Sequence, residues 1–462
     1  MSTKVGMIGL GCAKNLVDAE IMLGSVLERG MEITCDANEA DVLVINTCAF
    51  IDSAKEESIA AILEAHQRRR TSENPQQKII VSGCMSQRYG RELRELLPEV
   101  DEFIGLDQVS RIGAIVERIL GSHMSYRSDG TNRTGQDVDL AFADRRPRYI
   151  PDYDTPRFRL TPAHTAYVKI AEGCNHPCSF CVIPQMRGKH RSRSPDSVLA
   201  EIRALVAEGV REINLISQDT TYYGMDLWAE KAGPRQPVDS GRGPTLADLL
   251  REIDEIEGDF WVRLLYTHPA HWSDELIETI AGCEKVARYI DIPLQHIAES
   301  MLQRMRRETS REHIETLISR LRHGIPGVAL RTTFIVGFPG ETEQDFDALL
   351  EFIERSQFDR LGVFKYSREE GSRAARMPNQ ISAKTKNERY GRAMALQQRI
   401  AHARARQRIG DRLKLLVDQP HIARTEADAL DVDARVVLSQ AAPVGGFIHR
   451  AITGSRGYDL LA

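Results

Sequence analysis

Short apolar blocks alternate with stretches of helical period along most of the chain. The blocks at 5–10 (VGMIGL), 42–46 (VLVIN) and 79–82 (IIVS) read as buried strands. Between the first two, residues 15–29 place Leu16, Ile21, Leu23, Val26 and Leu27 on one helical face and stop at Gly30. The next helix, 53–70, opens on Ser53-x-x-Glu56, a capping-box pattern, ahead of Ile59, Ile62 and Leu63. Strand–helix alternation closed by a helix at 110–120 predicts a parallel α/β sheet domain over residues 1–122. The periodicity then fails. Gly130, Gly135, Pro147, Pro151, Pro156 and Pro162 punctuate 123–163, which reads as a linker draped over its neighbours.

Alternation resumes over 164–383. Strands are predicted at 166–170, 212–216, 261–265, 289–293, 330–336 and 361–364. The helix after the first carries an N-terminal Ser194-Pro195-Asp196 and a terminal Gly209. Six such units predict a partial (β/α)6 TIM-like barrel, with a Gly/Pro-rich surface loop at 233–244. Residues 384–409 read as a basic helical connector. Beyond it, strands at 413–417, 434–438, 447–451 and 458–461 predict a small antiparallel β-barrel over 410–462. The expected fold class is thus α/β with a small all-β end.

Charge narrows the function classes. Lys and Arg number 61 against 66 Asp and Glu in 462 residues, a net −5, which disfavours nucleic-acid binding by bulk charge. An apolar content of 42% excludes general disorder, and the lack of an 18-residue apolar run excludes a membrane-spanning protein. The first residues carry no export signal, so a cytoplasmic chain is expected. The connector holds eight basic residues and the single acid Glu388, a solvated face or a contact for an RNA-rich assembly. Glu426, Asp428, Asp431 and Asp433 bunch together and suit a basic protein partner.

The cysteines carry the chemistry. Cys174, Cys178 and Cys181 form a C-x3-C-x2-C run. Structural zinc takes four ligands, so zinc here needs His176 or a distant residue; a cubane iron–sulfur cluster on three thiolates keeps one iron open. Cys12, Cys48 and Cys84 lie 36 residues apart, each ending a predicted strand. Loops after parallel strands share one edge, so these thiols either converge or are three isolated loop cysteines. Cys35 and Cys283 read as small buried residues. Gly9-Leu10-Gly11-Cys12-Ala13-Lys14 lacks the third glycine of a dinucleotide fingerprint. Gln218-Asp219-Thr220, Gln295-His296 and Gly337-Phe338-Pro339-Gly340-Glu341 all follow predicted barrel strands and would share one mouth.

Together these motifs resemble a known family. C-x3-C-x2-C with Phe180 before its last cysteine is similar to the radical S-adenosylmethionine enzymes, and Asn46-Thr47-Cys48, Ser82-Gly83-Cys84 and Gly9-Leu10-Gly11-Cys12 narrow the resemblance to the methylthiotransferases. Glu172-Gly173-Cys174-Asn175-His176 and Asp291-Ile292-Pro293-Leu294-Gln295-His296 look like the branch acting on an aspartate of ribosomal small-subunit protein 12. The resemblance implies a TRAM domain at the C-terminus and a [4Fe–4S] cluster on each cysteine trio. It implies S-adenosylmethionine as radical source and methyl donor, and a 3-methylthioaspartyl product. It further implies cofactor contacts at Phe180, Gln218, Gly337, Pro339, Gly340 and Glu341, and a one-electron donor such as flavodoxin or ferredoxin. From the basic loop Arg187, Lys189, His190, Arg191 and Arg193, we expect Arg191 and Arg193, with His296, to meet the substrate carboxylate. The competing readings are a tRNA-adenosine methylthiotransferase, an iron–sulfur electron carrier and a zinc-dependent RNA-binding protein.

Overall fold

The computed structural model describes residues 2–71, 74–121 and 145–462. The chain divides into two compact units: residues 1–160 with 172–174 and 182–191, and 161–171 with 175–181 and 192–462. The linker positions Gly130 and Gly135 lie outside the described residues.

The first unit is built on β1 (Lys4–Gly9), α1 (Ala13–Leu27), β2 (Glu32–Thr34), β3 (Val42–Thr47), α2 (Asp52–Thr71), β4 (Lys78–Gly83), α3 (Cys84–Leu96), β5 (Glu102–Phe103) and α4 (Ile112–Gly121). The strands form one sheet in the order β2-β1-β3-β4-β5, every pair parallel. The central strand β3 is buried along its whole length, as its continuous apolar run requires. Two short strands, β2 and β5, escape the sequence reading. Helix α2 starts at Asp52, so Ser53 lies inside the helix rather than at its cap. Part of the expected linker does lie on its neighbour: Glu20 accepts from the Arg157 guanidinium at 2.7 Å and from the Leu160 N–H at 2.7 Å.

The second unit holds β6 (Thr165–Lys169); the short strands β7 (Ala171–Glu172) and β8 (Arg191–Ser192) fall at the boundary between units, and the single-turn α5 (Ile183–Met186) belongs to the first. There follow α6 (Pro195–Ala207), β9 (Glu212–Ile216), α7 (Leu246–Asp254), β10 (Trp261–Leu264), α8 (Asp274–Gly282), β11 (Val286–Asp291), α9 (Glu299–Met305), α10 (Arg311–Gly324), β12 (Ala329–Val336), α11 (Glu343–Ser356), β13 (Arg360–Lys365) and α12 (Ala383–Gln407). Six parallel strands make an open sheet ordered β13-β12-β11-β10-β9-β6. The Ser194 hydroxyl caps α6 by accepting from Ser197, as its sequence foretold.

Helix α12 keeps Lys384, Arg392, Arg399 and Arg406 exposed and uses part of its charge within the unit. Arg389 and Arg392 pair with Glu343, and Arg404 with Asp359. Six strands complete the unit: β14 (Arg412–Gln419), β15 (Ile422–Thr425), β16 (Val436–Val437), β17 (Phe447–Ala451), β18 (Gly454–Arg456) and β19 (Asp459–Leu461). Their sheet is antiparallel except where β16 runs parallel to β19, a departure from the all-antiparallel expectation. Three of the four residues of the acidic bunch bond within the unit, where a basic partner was expected, and Asp431 is exposed. Asp428 pairs with Arg360, Asp433 accepts from the Tyr289 hydroxyl at 2.7 Å, and the Arg288 N–H donates to Glu426 at 3.2 Å. Glu212 is fully buried between Arg263 and Arg424 at 2.9 and 2.8 Å. These contacts cluster near the starts of the central strands, so the opposite, C-terminal strand ends remain for chemistry. Among the described residues, no helix is long and apolar enough to cross a membrane.

Candidate functional site

Three adjacent parallel strands, β1, β3 and β4, deliver Cys12, Cys48 and Cys84 to one sheet edge. Cys12 is the N-cap of α1, Cys48 follows β3, and Cys84 is the first residue of α3. Asn15 stitches the edge together, donating to the carbonyls of Leu10 at 3.0 Å and Thr47 at 2.8 Å. The Cys48 N–H donates to the Ser58 hydroxyl at 3.0 Å. Gly83 sits at φ +93°, and a Cβ there would lie 2.4 Å from the Thr47 carbonyl. Only glycine lets Cys84 come this close.

The thiols are unequal. Desolvation opposes ionisation of Cys12, but Lys14, Arg187 and nearby N–H groups bring it below the ordinary thiol value. Burial raises Cys48 and pushes Cys84 up to about 12. Three thiols near enough to oppose one another's ionisation, beside two cations and with the Asn46 Oδ1 and Ser82 Oγ buried without a hydrogen-bond partner, fit a cationic metal cluster that deprotonates its ligands on binding. Cys35 is exposed, contrary to expectation, and Cys283 is buried.

The second trio lies in the loop after β6. Cys174 donates its N–H to the Gly188 carbonyl at 3.1 Å, and Gly173 before it holds φ +85° where a Cβ would meet the Lys189 carbonyl at 2.1 Å. Cys181 N–H reaches the Cys178 carbonyl at 3.2 Å, while the Arg307 guanidinium lies 3.6 Å from the Cys178 sulfur. Ser179 is pinned by the carbonyls of Met305 and Arg304. All three cysteines are partly exposed. Phe180 packs against a cluster of Ala298, Met301, Met305, Phe338, Tyr366 and Ala374.

Next to this loop stands a group the sequence reading did not assemble. His176 donates from Nε2 to Asp219 at 2.7 Å and from Nδ1 to Glu308; His271 Nδ1 meets the same Asp219 oxygen at 3.0 Å. The His268 ring stacks on His176, centroids 3.7 Å apart. Burial opposes a charged His176, yet the two carboxylates push it up to about 9. Burial, with the charges of Arg307 and His176, drives His268 well below its ordinary value. One donor atom from each of His176, Asp219, His268 and His271 lies within 4.8 Å of the others, the spacing of a metal site. The hydrogen bonds describe a proton network instead. Both His176 nitrogens face carboxylates, and His268 Nδ1 accepts from Ala270, which leaves the proton on Nε2. Both His176 nitrogens are thus engaged by carboxylates in this arrangement.

Several expected contacts are engaged elsewhere. Arg193 is buried against Glu201 and Ser197, and Arg191 donates to the carbonyls of Arg187, Lys189 and Tyr149. These contacts of both forks are thus with groups of the protein itself. His296 uses Nε2 on Glu341 at 3.0 Å and Nδ1 on the Ala298 N–H, so it has no nitrogen left for substrate. Glu341 also binds Arg389 at 2.6 Å and the Gly337 N–H at 2.5 Å; it shapes the Gly337–Gly340 turn from within. The Gly340 N–H and Pro339 carbonyl are likewise bonded, to Asn379 and Arg304. Gln218 is half-buried at the end of β9.

Comparison with known proteins agrees with this arrangement. Residues 4–105 match a family described as uncharacterized protein family UPF0004, and residues 168–353 match the radical SAM superfamily. Ribosomal protein uS12 methylthiotransferase RimO of Opitutus terrae is 59% identical over 99% of this chain and 96% of its own. Its namesake from Akkermansia muciniphila is 52% identical over the full length of both. The chain belongs to the RimO family. Among solved structures, the radical S-adenosylmethionine methyltransferase TsrM of Kitasatospora setae shares the fold, with a TM-score of 0.53 at 16% identity over 79% of this chain and 75% of that one. What sequence reasoning on this RimO-family chain missed is the His176–Asp219–His271 network. Its members come from loops after β6, β9 and β10, and no period or spacing links them.

Proposed function

We propose that this protein adds a methylthio group to the β-carbon of an aspartate in ribosomal protein uS12. The support is one observation: two sets of three cysteines, one following the neighbouring strands β1, β3 and β4 and one within a single C-x3-C-x2-C run. Cys12, Cys48 and Cys84 would hold one [4Fe–4S] cluster, and Cys174, Cys178 and Cys181 a second. When bound, the clusters and S-adenosylmethionine supply the one-electron chemistry and the sulfur and methyl groups that side chains cannot provide.

The chain's own residues do the rest. Arg307 sets a cation against Cys178, and the Ser179 contacts fix the loop that carries it. Glu341, held by Arg389 and His296, keeps the Gly337–Gly340 turn in shape beside Phe338, which shares an apolar cluster with Phe180. Phe180, Gln218 and this turn are assigned to the adenosyl side of the cofactor. His176 carries a proton between Asp219 and Glu308 at the C-terminal strand ends.

The division into an α/β domain (1–122), linker (123–163), central barrel (164–383), connector (384–409) and TRAM-type domain (410–462) belongs to the same reading. So do a cytoplasmic setting, uS12 free or on the ribosome, and a flavodoxin- or ferredoxin-like reductant. The test is anaerobic incubation of reconstituted protein with uS12, S-adenosylmethionine, sulfide and dithionite, followed by mass spectrometry of uS12. A methylthio adduct on one aspartate is expected. Unmodified uS12 alongside methylthiolated tRNA adenosine would overturn it.

A further inference from the structure

The first unit brings a buried cation to the Cys12–Cys48–Cys84 edge from far along the chain. Arg187 is 2% exposed. Its fork divides: Nη1 donates to Glu172 at 3.0 Å, and Nη2 donates to Asn15 Oδ1 at 2.6 Å and Asp18 at 3.0 Å. The same Asn15 Oδ1 accepts from the Cys84 thiol at 3.6 Å, so the guanidinium and a cysteine of the trio share one acceptor. Lys14, 7% exposed, is a second cation beside Cys12. Two carboxylates offset this positive charge, Asp18 on the same nitrogen as Asn15 and Glu172 on the other.

A buried Arg–carboxylate cluster is a poor device for stability, since well-packed apolar residues do as well or better. Its placement has a redox consequence. A cluster on three thiolates becomes more negative by one charge when reduced, and a fixed buried cation favours the more negative state. We propose that Arg187 sets the reduction potential of the cluster held by Cys12, Cys48 and Cys84. The inference rests on the assignment of that cluster under the proposed function. Only one electron moves, from an added reductant such as dithionite, and no bond is made or broken.

The experiment uses full-length protein with Cys174, Cys178 and Cys181 changed to Ala, reconstituted anaerobically, so that one cluster is observed alone. Redox titration is followed by electron paramagnetic resonance. In Arg187→Gln the ratio of reduced to oxidised cluster at fixed potential is expected to fall about tenfold, a midpoint lower by about 59 mV for one electron. Arg187→Lys, which keeps the charge, should stay within about threefold of the parent. Glu172→Gln removes an opposing charge and should shift the ratio the other way, which decides the matter even if Arg187→Gln does not fold. Arg187→Gln and Glu172→Gln both within about twofold of the parent would overturn the proposal alone. A parent protein that takes up no iron would overturn the cluster assignment and this inference with it.

Discussion

Gly83 holds the tightest approach at the cysteine edge. With φ at +93° and the Thr47 carbonyl 2.4 Å from any added Cβ, Gly83→Ala must move either Cys84 or the end of β3. It is expected to lower unfolding free energy by about 1–3 kcal/mol and to reduce iron retained after reconstitution, read by urea denaturation and iron assay. Retention equal to wild type would mean the edge is looser than described. Glu341 is the counterpart in the second unit, fully buried between Arg389 and His296. Glu341→Gln leaves Arg389 with the more exposed Glu343 as its ionic partner and should cost about 1–3 kcal/mol in denaturant unfolding; a loss below about 0.5 kcal/mol would contradict the role given to it. The cysteines were readable as residues because their spacing follows the strand–helix repeat. Glu308, Arg307 and His268 were not, because their meeting depends on loops of unrelated sequence.

Among elements, the strands of the central sheet were legible because each is a short apolar block followed by a helix with its own cap and stop. The three-residue β2, the two-residue β5 and the short β15 and β18 carry too few positions for a period to show. The acidic stretch after β15 was legible only as charge; that it faces Arg360, Arg331 and Tyr289 follows from tertiary packing. Glu212 on β9 is the centre of that packing. Burial opposes its ionisation, but Arg424 and Arg263 hold it at about 2, against an ordinary 4.5. A depressed carboxylate stabilises the fold above its unfolded value and loses that contribution as pH falls toward its folded one. Stability should therefore decline by roughly 3 kcal/mol between about pH 4.5 and pH 2 through this group. In Glu212→Gln, urea midpoints should already be low at pH 7 and change less across that window. A wild-type-like acid limb in the variant would remove Glu212 from this role.

For the molecule as a whole, the parallel sheet of the first unit brings Cys12, Cys48 and Cys84 to neighbouring strand ends although they are 36 residues apart, whereas Cys174, Cys178 and Cys181 are neighbours in the sequence itself. One trio is gathered by adjacent strand ends and the other by a single loop. The central claim is that these trios load independently. It is tested most directly by counting iron and acid-labile sulfide in anaerobically reconstituted wild type beside the Cys12/Cys48/Cys84 and Cys174/Cys178/Cys181 triple alanine variants. About eight irons in the wild type and about four in each variant is the predicted result. About four in the wild type, with either variant falling to none, would contradict it.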